Sequence, residues 1–172
     1  MKRPRYLGPI VALLIFVADQ VMKYVVTGPL GIDHRDAVLH VLPIFNLAYV
    51  ENYGVSLGFL RADTNMMRWA LVALTVAIAA GVGYWMAREK NRSDLFALGL
   101  VLGGALGNIV DRVRLGFVVD YADLHFGAWR PFLVFNVADA AITIGVLLLL
   151  IRALFVREKP RDARATVENV NA

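Results

Sequence analysis

Hydrophobic positions along this 172-residue chain gather into four long runs, separated by segments that hold most of the charge. The runs extend from Leu7 to Val26, Met66 to Ala87, Asp94 to Arg112 and Phe132 to Phe155. Each is close to the roughly 20 residues a helix needs to cross the hydrocarbon core of a bilayer. The pattern therefore predicts four transmembrane helices, with spans at 7–26, 66–87, 94–112 and 132–155. The segment 28–65 is different in kind. Gly28, Pro29, Gly31 and Pro43 punctuate it, and the stretch from Val41 to Phe59 is rich in β-branched and aromatic residues. That composition predicts a small β-rich segment outside the membrane. Residues 113–130, ended by Pro131, predict a short exposed connection, and residues 157–172 a polar tail without a core of its own. The expected fold class is a mainly α membrane protein with a single domain over residues 1–156.

Composition agrees with this reading. Hydrophobic residues make up 59% and charged residues only 19%, more apolar material than a soluble domain of this size needs. The absence of cysteine removes a disulfide frame and any thiolate nucleophile or ligand. A formal charge of +4 does not point to nucleic acid, because the basic residues flank the apolar runs instead of interleaving with aromatics. Of 18 lysines and arginines, 11 lie in the N-terminal tail, the 88–92 turn and the region from Arg152 onward. The positive-inside rule then places both termini in the cytoplasm and segment 28–65 on the opposite side.

Polar residues inside the runs are few and placed alike. Asp19 and Lys23, four apart on one helix face, argue against a cleaved signal peptide and for an ion pair tethering the end of a retained helix. Gly99, Gly103 and Gly107 recur every fourth residue and leave a bare face for another helix. Ala77, Ala80, Gly81 and Gly83 offer a similar approach in the second span. Asn108 and Arg112 follow one turn apart, and Asn136, Asp139 and Thr143 fall on one face of the fourth span. Asp120 and Asp139 sit in the apolar settings VVDY and FNVADAAI, where an unpaired carboxylate costs several kcal/mol to bury. The topology brings all of these to one membrane depth.

Charged groups at one depth have three broad uses. A carboxylate pair shares a proton and hydrolyses a bond by activating water. Asp120, Asp123 and Asp139 offer oxygen ligands to a metal. Intramembrane acids also relay ions in transport, although transporters spread them through the membrane and carry repeats, which are not seen here. There is no HExxH zinc motif and no G-x-S-x-G elbow.

The motifs Asp19-Gln20-Val21-Met22-Lys23, Asn52-x-Gly54, Gly103-Gly104-Ala105-Leu106-Gly107-Asn108-x-x-Asp111-Arg112, Val118-Val119-Asp120-Tyr121 and Phe135-Asn136-x-Ala138-Asp139 resemble those of bacterial lipoprotein signal peptidases, in family order. The resemblance implies an aspartic endopeptidase of the cytoplasmic membrane with a small extracytoplasmic β-cradle. It implies cleavage of prolipoproteins just before a cysteine that already carries diacylglycerol, with Asp120 and Asp139 as the catalytic pair. It gives supporting roles to Asp19, Lys23, Asn52, Gly54, Asn108, Arg112 and Asn136, and it implies no cofactor and no metal. Tyr121 stands where phenylalanine is usual, and Tyr53 where a small residue is common. Asp123 lies outside the motifs and has no catalytic role in this reading, while Asp111 is expected to pair with Arg112 or Arg114. Arg112 and Asn52 are expected to act as scaffold, Arg112 by holding loop carbonyls or a carboxylate, and Asn52 by bracing a turn against the helix end. The implied partners are the lipid-modified substrate and membrane lipid, with no nucleic acid and a monomeric enzyme. The substrate's signal helix is expected along the glycine face or a neighbouring groove.

Overall fold

The computed structural model describes residues 6–54 and 65–155. Helix α1 (Leu7–Thr27) leads into strands β1 (Val38–Leu42) and β2 (Phe45–Asn52); α2 (Asn65–Arg88) and α3 (Arg92–Arg114) follow, then β3 (Val118–Leu124) and α4 (Val137–Phe155). The four helices contain 21, 24, 23 and 19 residues, and all are apolar and long enough to cross a membrane. At 1.5 Å per residue they reach roughly 28–36 Å.

Helix α3 is the centre of the bundle. More than half of its apolar window is buried, against about a fifth of the corresponding window in each other helix. Glycine is the reason. A Cβ added at Gly99 would stand 2.7 Å from the Gly8 carbonyl oxygen, and one at Gly103 2.5 Å from that of Ala12. At Gly107 it would run into the Asp19 carboxylate. Helix α1 therefore fills the glycine face, and a substrate helix cannot use it. On the other side of α3, a Cβ at Gly104 would meet the Ala138 carbonyl of α4 at 2.5 Å. The expected small-residue contact in the second span is not made among the described residues, since Gly81 and Gly83 have open space around them. Large apolar side chains such as Leu13, Leu14, Ile78 and Leu154 point outward, as a lipid solvent permits.

The sheet is antiparallel in the order β1-β2-β3. Two of its strands arise from the predicted β-rich segment. The third corrects the expected exposed connection: Val118–Leu124 is a strand, and six of its seven residues are buried. Tyr121 and Ala122 join Val26, Ile32 and Leu47 in an apolar cluster that seats the sheet on the end of α1. By contrast, every residue of β1 is exposed.

Two helix boundaries also move. Helix α3 starts at Arg92 because the Asn91 side chain accepts from the Ser93 N–H at 2.9 Å, ahead of the Ser93–Asp94 start expected from the sequence. Helix α4 starts at Val137, not Phe132. Phe135 is held in an extended bridge to Ala122, with N–H to carbonyl distances of 2.7 and 3.1 Å, so the chain before Asn136 cannot be helical. Gly58 and Phe59 of the expected strand region, and the tail 157–172, lie outside the described residues.

Candidate active site

Two carboxylates meet where β3 and the start of α4 come together. Asp120 is 1% exposed and stands on β3 opposite Val50 of β2. Asp139 is in the first turn of α4, where the unpaired N–H groups of the helix end favour negative charge. Asn136 joins them. Its Nδ2 donates to Asp120 Oδ1 at 2.6 Å, and its Oδ1 accepts the Asp139 backbone N–H at 2.9 Å. Asn136 is thus the cap of α4 and not a residue on its helical face, which corrects the shared-face expectation. One short side chain starts the helix and links both acids.

The other contacts to the acids come from neutral amides. Asn52 Nδ2 donates to Asp120 Oδ2 at 3.0 Å, and Asn108 Nδ2 donates to Asp139 Oδ1 at 2.8 Å. Gly54 donates its N–H to Asn52 Oδ1 at 3.1 Å, which fixes the direction in which the amide points. Asn52 therefore contacts a candidate catalytic carboxylate directly, where a brace against the helix end was expected. Burial, followed by the charge of Asp139, pushes the Asp120 carboxyl up to about 7, although the hydrogen bonds from Asn52 and Asn136 pull it down.

A second cluster lies beside the first. Lys23 Nζ is 2.8 Å from Asp19 Oδ2, 2.7 Å from Asp111 Oδ2 and 3.3 Å from Asn108 Oδ1. Asp19 is fully buried and also accepts the Ala138 N–H at 3.0 Å. Asp111 accepts the Val119 N–H at 3.3 Å. The ion pair expected within α1 is therefore one limb of a larger junction that joins α1, α3, β3 and α4. Asp111 pairs with Lys23 and not with Arg112 or Arg114, because α1 packs closely enough on the glycine face to insert the lysine. Gln20, absent from the sequence candidates, donates to Asp111 Oδ1 at 3.1 Å; its place beside Asp19 in the first motif was the available signal.

Among the described residues, Arg112 does not hold loop carbonyls or a carboxylate through a hydrogen bond. Its Nη1 reaches the Asn108 carbonyl of its own helix at 3.4 Å, and its buried Nε has no hydrogen-bond partner among the described residues. Asp123, three residues from Asp120 along β3, projects to the other face of the strand. Arg130 holds it with contacts of 3.0 and 3.2 Å, so it does not join the other two acids in a ligand set. Tyr53 donates to Glu51 at 3.1 Å and packs against Phe117, leaving the motif residues around it undisturbed.

The signal peptidase (SPase) II family, peptidase A8, matches residues 11–155 of this chain. A lipoprotein signal peptidase of Rhizorhabdus wittichii is 54% identical over 168 residues, which cover 98% of this chain and 95% of that protein. One from Sphingopyxis alaskensis is 53% identical, covering 92% and 91%. A bacterial membrane enzyme solved by the in meso method at 2.3 Å superposes with a TM-score of 0.77 at 28% identity, over 90% of this chain and 92% of that one. With its motifs in family order and its two acids joined through one asparagine, this chain belongs to the signal peptidase II family of aspartic peptidases.

Proposed function

We propose that the protein removes the signal peptide from prolipoproteins, cutting before the diacylglyceryl-modified cysteine, with Asp120 and Asp139 sharing one proton in the reaction. The observation that carries this is the Asn136 link, which joins the buried Asp120 carboxylate to the backbone of the half-buried Asp139, with no cation hydrogen-bonded to either acid among the described residues. Asp120 is the member that burial favours to keep the proton, which leaves Asp139, in the first turn of α4, as the base in this reading.

The chemistry follows from those states. Asp139 takes a proton from a water molecule as the water oxygen attacks the scissile carbonyl carbon. Protonated Asp120 donates a hydrogen bond to the carbonyl oxygen as negative charge develops there. When the tetrahedral intermediate collapses, the C–N bond breaks and the leaving nitrogen of the cysteine takes a proton from the pair. The products are a carboxylate on the signal peptide and a free amine on the lipidated cysteine. The unbonded Nε–H of Arg112 gives that arginine a direct role, as a donor to a substrate carbonyl, in place of the expected scaffold role. Asn52, Asn108 and Asn136 hold the acids, while Asp19 and Lys23 hold the helices that carry them.

In this reading the enzyme is a monomer in the bacterial cytoplasmic membrane, since one chain supplies every residue of the site. Both termini are cytoplasmic, and the acids lie at the outer face, where the lipid of the cysteine stays in the outer leaflet. The purified protein in detergent should cleave a lipid-modified prolipoprotein immediately before the cysteine and leave the unmodified precursor intact. Equal cleavage of both precursors, or of neither, overturns the assignment. Reporter fusions after Arg92 should report cytoplasm and those near Asp36 the opposite side; the reverse result removes the proposed orientation.

A further inference from the structure

No motif contains Arg68, yet it grips the end of the helix that carries the site. It lies in the first turn of α2, at the same end of the bundle as the two acids. Its Nε donates to the Arg112 carbonyl at 2.8 Å, and its Nη2 donates to the Val113 carbonyl at 2.7 Å. Both belong to the last turn of α3, where the helix runs out of its own N–H donors. The Arg112 carbonyl also takes the Gly116 N–H, at 3.2 Å. Gly116 adopts the left-handed φ of 93° that turns α3 toward β3, and a Cβ added there would stand 3.4 Å from Arg68 Nη1. The guanidinium therefore lies against the turn itself, four residues before Asp120.

What this contact controls follows from the neighbours. The backbone that Arg68 holds belongs to Arg112, whose side chain carries the unbonded donor. Asn108, which donates to Asp139, is one helical turn earlier, and β3 with Asp120 begins immediately after the turn. Helix α2 packs chiefly on α3, with Met86 meeting Leu95 and Leu98 near the far end of the bundle. That packing is remote from the α3 terminus, which the two-pronged contact from Arg68 holds on the α2 side while the Lys23–Asp111 pair holds it on the α1 side. Arginine also stands here at the end of the bundle where the charge asymmetry disfavours basic residues, so orientation in the membrane does not explain its presence.

We propose that Arg68 is a positioning residue for the aspartate pair, fixing the end of α3 so that the Arg112 side chain and the Asp120 strand keep their places around the scissile carbonyl. This rests on the reading of Asp120 and Asp139 as the catalytic pair. A helix cap and nothing more would affect stability alone. A positioning residue affects the transition state, because small displacements of reacting groups cost up to about a hundredfold in rate. Lysine cannot replace it fully, since a single ammonium on a flexible stem does not present two rigidly parallel donors.

The full-length protein in detergent should be assayed as Arg68→Gln, Arg68→Lys and Arg68→Gly on a lipid-modified prolipoprotein, with melting temperature measured alongside. Arg68→Gln should lower kcat about 30-fold to 100-fold with KM within about threefold of wild type and little change in melting, and Arg68→Lys should recover part of the rate. Added methylguanidinium should restore turnover to Arg68→Gly but not to Asp139→Asn. A wild-type kcat in Arg68→Gln overturns the proposal. So does a rate loss that matches the loss of folded protein and is not rescued by methylguanidinium. If Arg68→Gln does not fold, Arg68→Lys, which keeps the charge, decides by the same split of kcat from KM. Active Asp120→Asn and Asp139→Asn would instead remove the catalytic reading beneath it. Inactive aspartate variants beside a wild-type Arg68→Gln would remove this proposal alone.

Discussion

Two pairs of carboxylates lie side by side at one end of this bundle, all buried but the half-buried Asp139, and they differ in what holds them. Asp19 and Asp111 meet across a lysine, with Lys23 Nζ within 2.8 Å of both. Asp120 and Asp139 are linked through Asn136, which donates to the Asp120 carboxylate and accepts the Asp139 backbone N–H, and among the described residues the other hydrogen bonds to the two carboxylates come from the amides of Asn52 and Asn108. An ammonium between two acids offsets their charge and joins the helices that carry them. Neutral amides orient two acids without supplying the charge that would let both ionise, so that pair retains a proton to move. The same residue type thus serves architecture in one cluster and, in the proposed reaction, chemistry in the other. Asn108 touches both, accepting from Lys23 at 3.3 Å and donating to Asp139 at 2.8 Å.

The sharpest way to break this distinction is to replace the acids. Asp120→Asn or Asp139→Asn should lower turnover by about 10⁴-fold or more, equivalent to roughly 5 kcal/mol in the transition state, while melting in detergent changes little. A variant that keeps most of its turnover on a lipidated substrate would end the assignment. The other cluster should respond in the opposite sense. Lys23→Met leaves two carboxylates facing each other in a dry site, at a cost of about 3–5 kcal/mol in stability. Whatever fraction folds should keep turnover within about tenfold of wild type. A stable but inactive Lys23→Met would place the lysine in the chemistry.

Titration separates the pairs further. A carboxyl whose folded pKa lies above its unfolded value binds a proton on folding, so its contribution to stability is full below the unfolded pKa and is lost as pH rises through the folded one. With Asp120 pushed from 3.8 up to about 7, the window lies between those values. Thermal stability of the wild type should fall across it, with an upper limit of roughly 4 kcal/mol, and Asp120→Asn should lack that slope. Turnover, which needs the shared proton, should decline as pH rises past about 7. Identical pH–melting curves for the two proteins would show that burial does not act on Asp120 in this way.

Smaller effects test the amide frame. Asn136→Ala removes both the α4 cap, typically worth 0.5–2 kcal/mol, and a donor to Asp120, so stability and rate should fall together. Asn52→Ala should lower the rate about tenfold to a hundredfold with melting nearly intact, because it touches the acid but starts no helix. Equal loss of melting in both would restore Asn52 as scaffold. Asp123→Asn should be the mildest of the series, within about threefold in turnover, because its partner Arg130 is far more exposed than the carboxylate it holds and such pairs contribute little. A large loss there would bring Asp123 back as a candidate ligand.

Much of this could be read from the chain before any fold was known. Four apolar runs of bilayer length can hardly be anything but spans, and acids in apolar settings demand an explanation in any fold. The glycines at 99, 103 and 107 announced a close helix contact, and the motifs announced the acids. Three features were not legible, for separate reasons. Strand β3 reads as a loop because VVDYADL mixes apolar residues with two acids, and what makes it a strand is the ladder offered by β2. The first residues of the fourth apolar run look helical until Phe135 is claimed by Ala122 across the sheet. Arg68 looks like an ordinary flanking charge, because its targets are two carbonyls more than 40 residues away.

The sequence by itself determined the membrane class and the number of spans, and it singled out the two candidate acids, because hydrophobic length and the cost of burying charge are local properties. Tertiary structure decided how the carboxylates are divided. Which acid meets a lysine and which meets only amides depends on how closely α1 approaches the glycines of α3, and on Asn136 stopping a strand-like segment and starting a helix. Pairings of that kind join residues as much as 119 positions apart, as Asp19 and the Ala138 N–H are, and no local pattern encodes them.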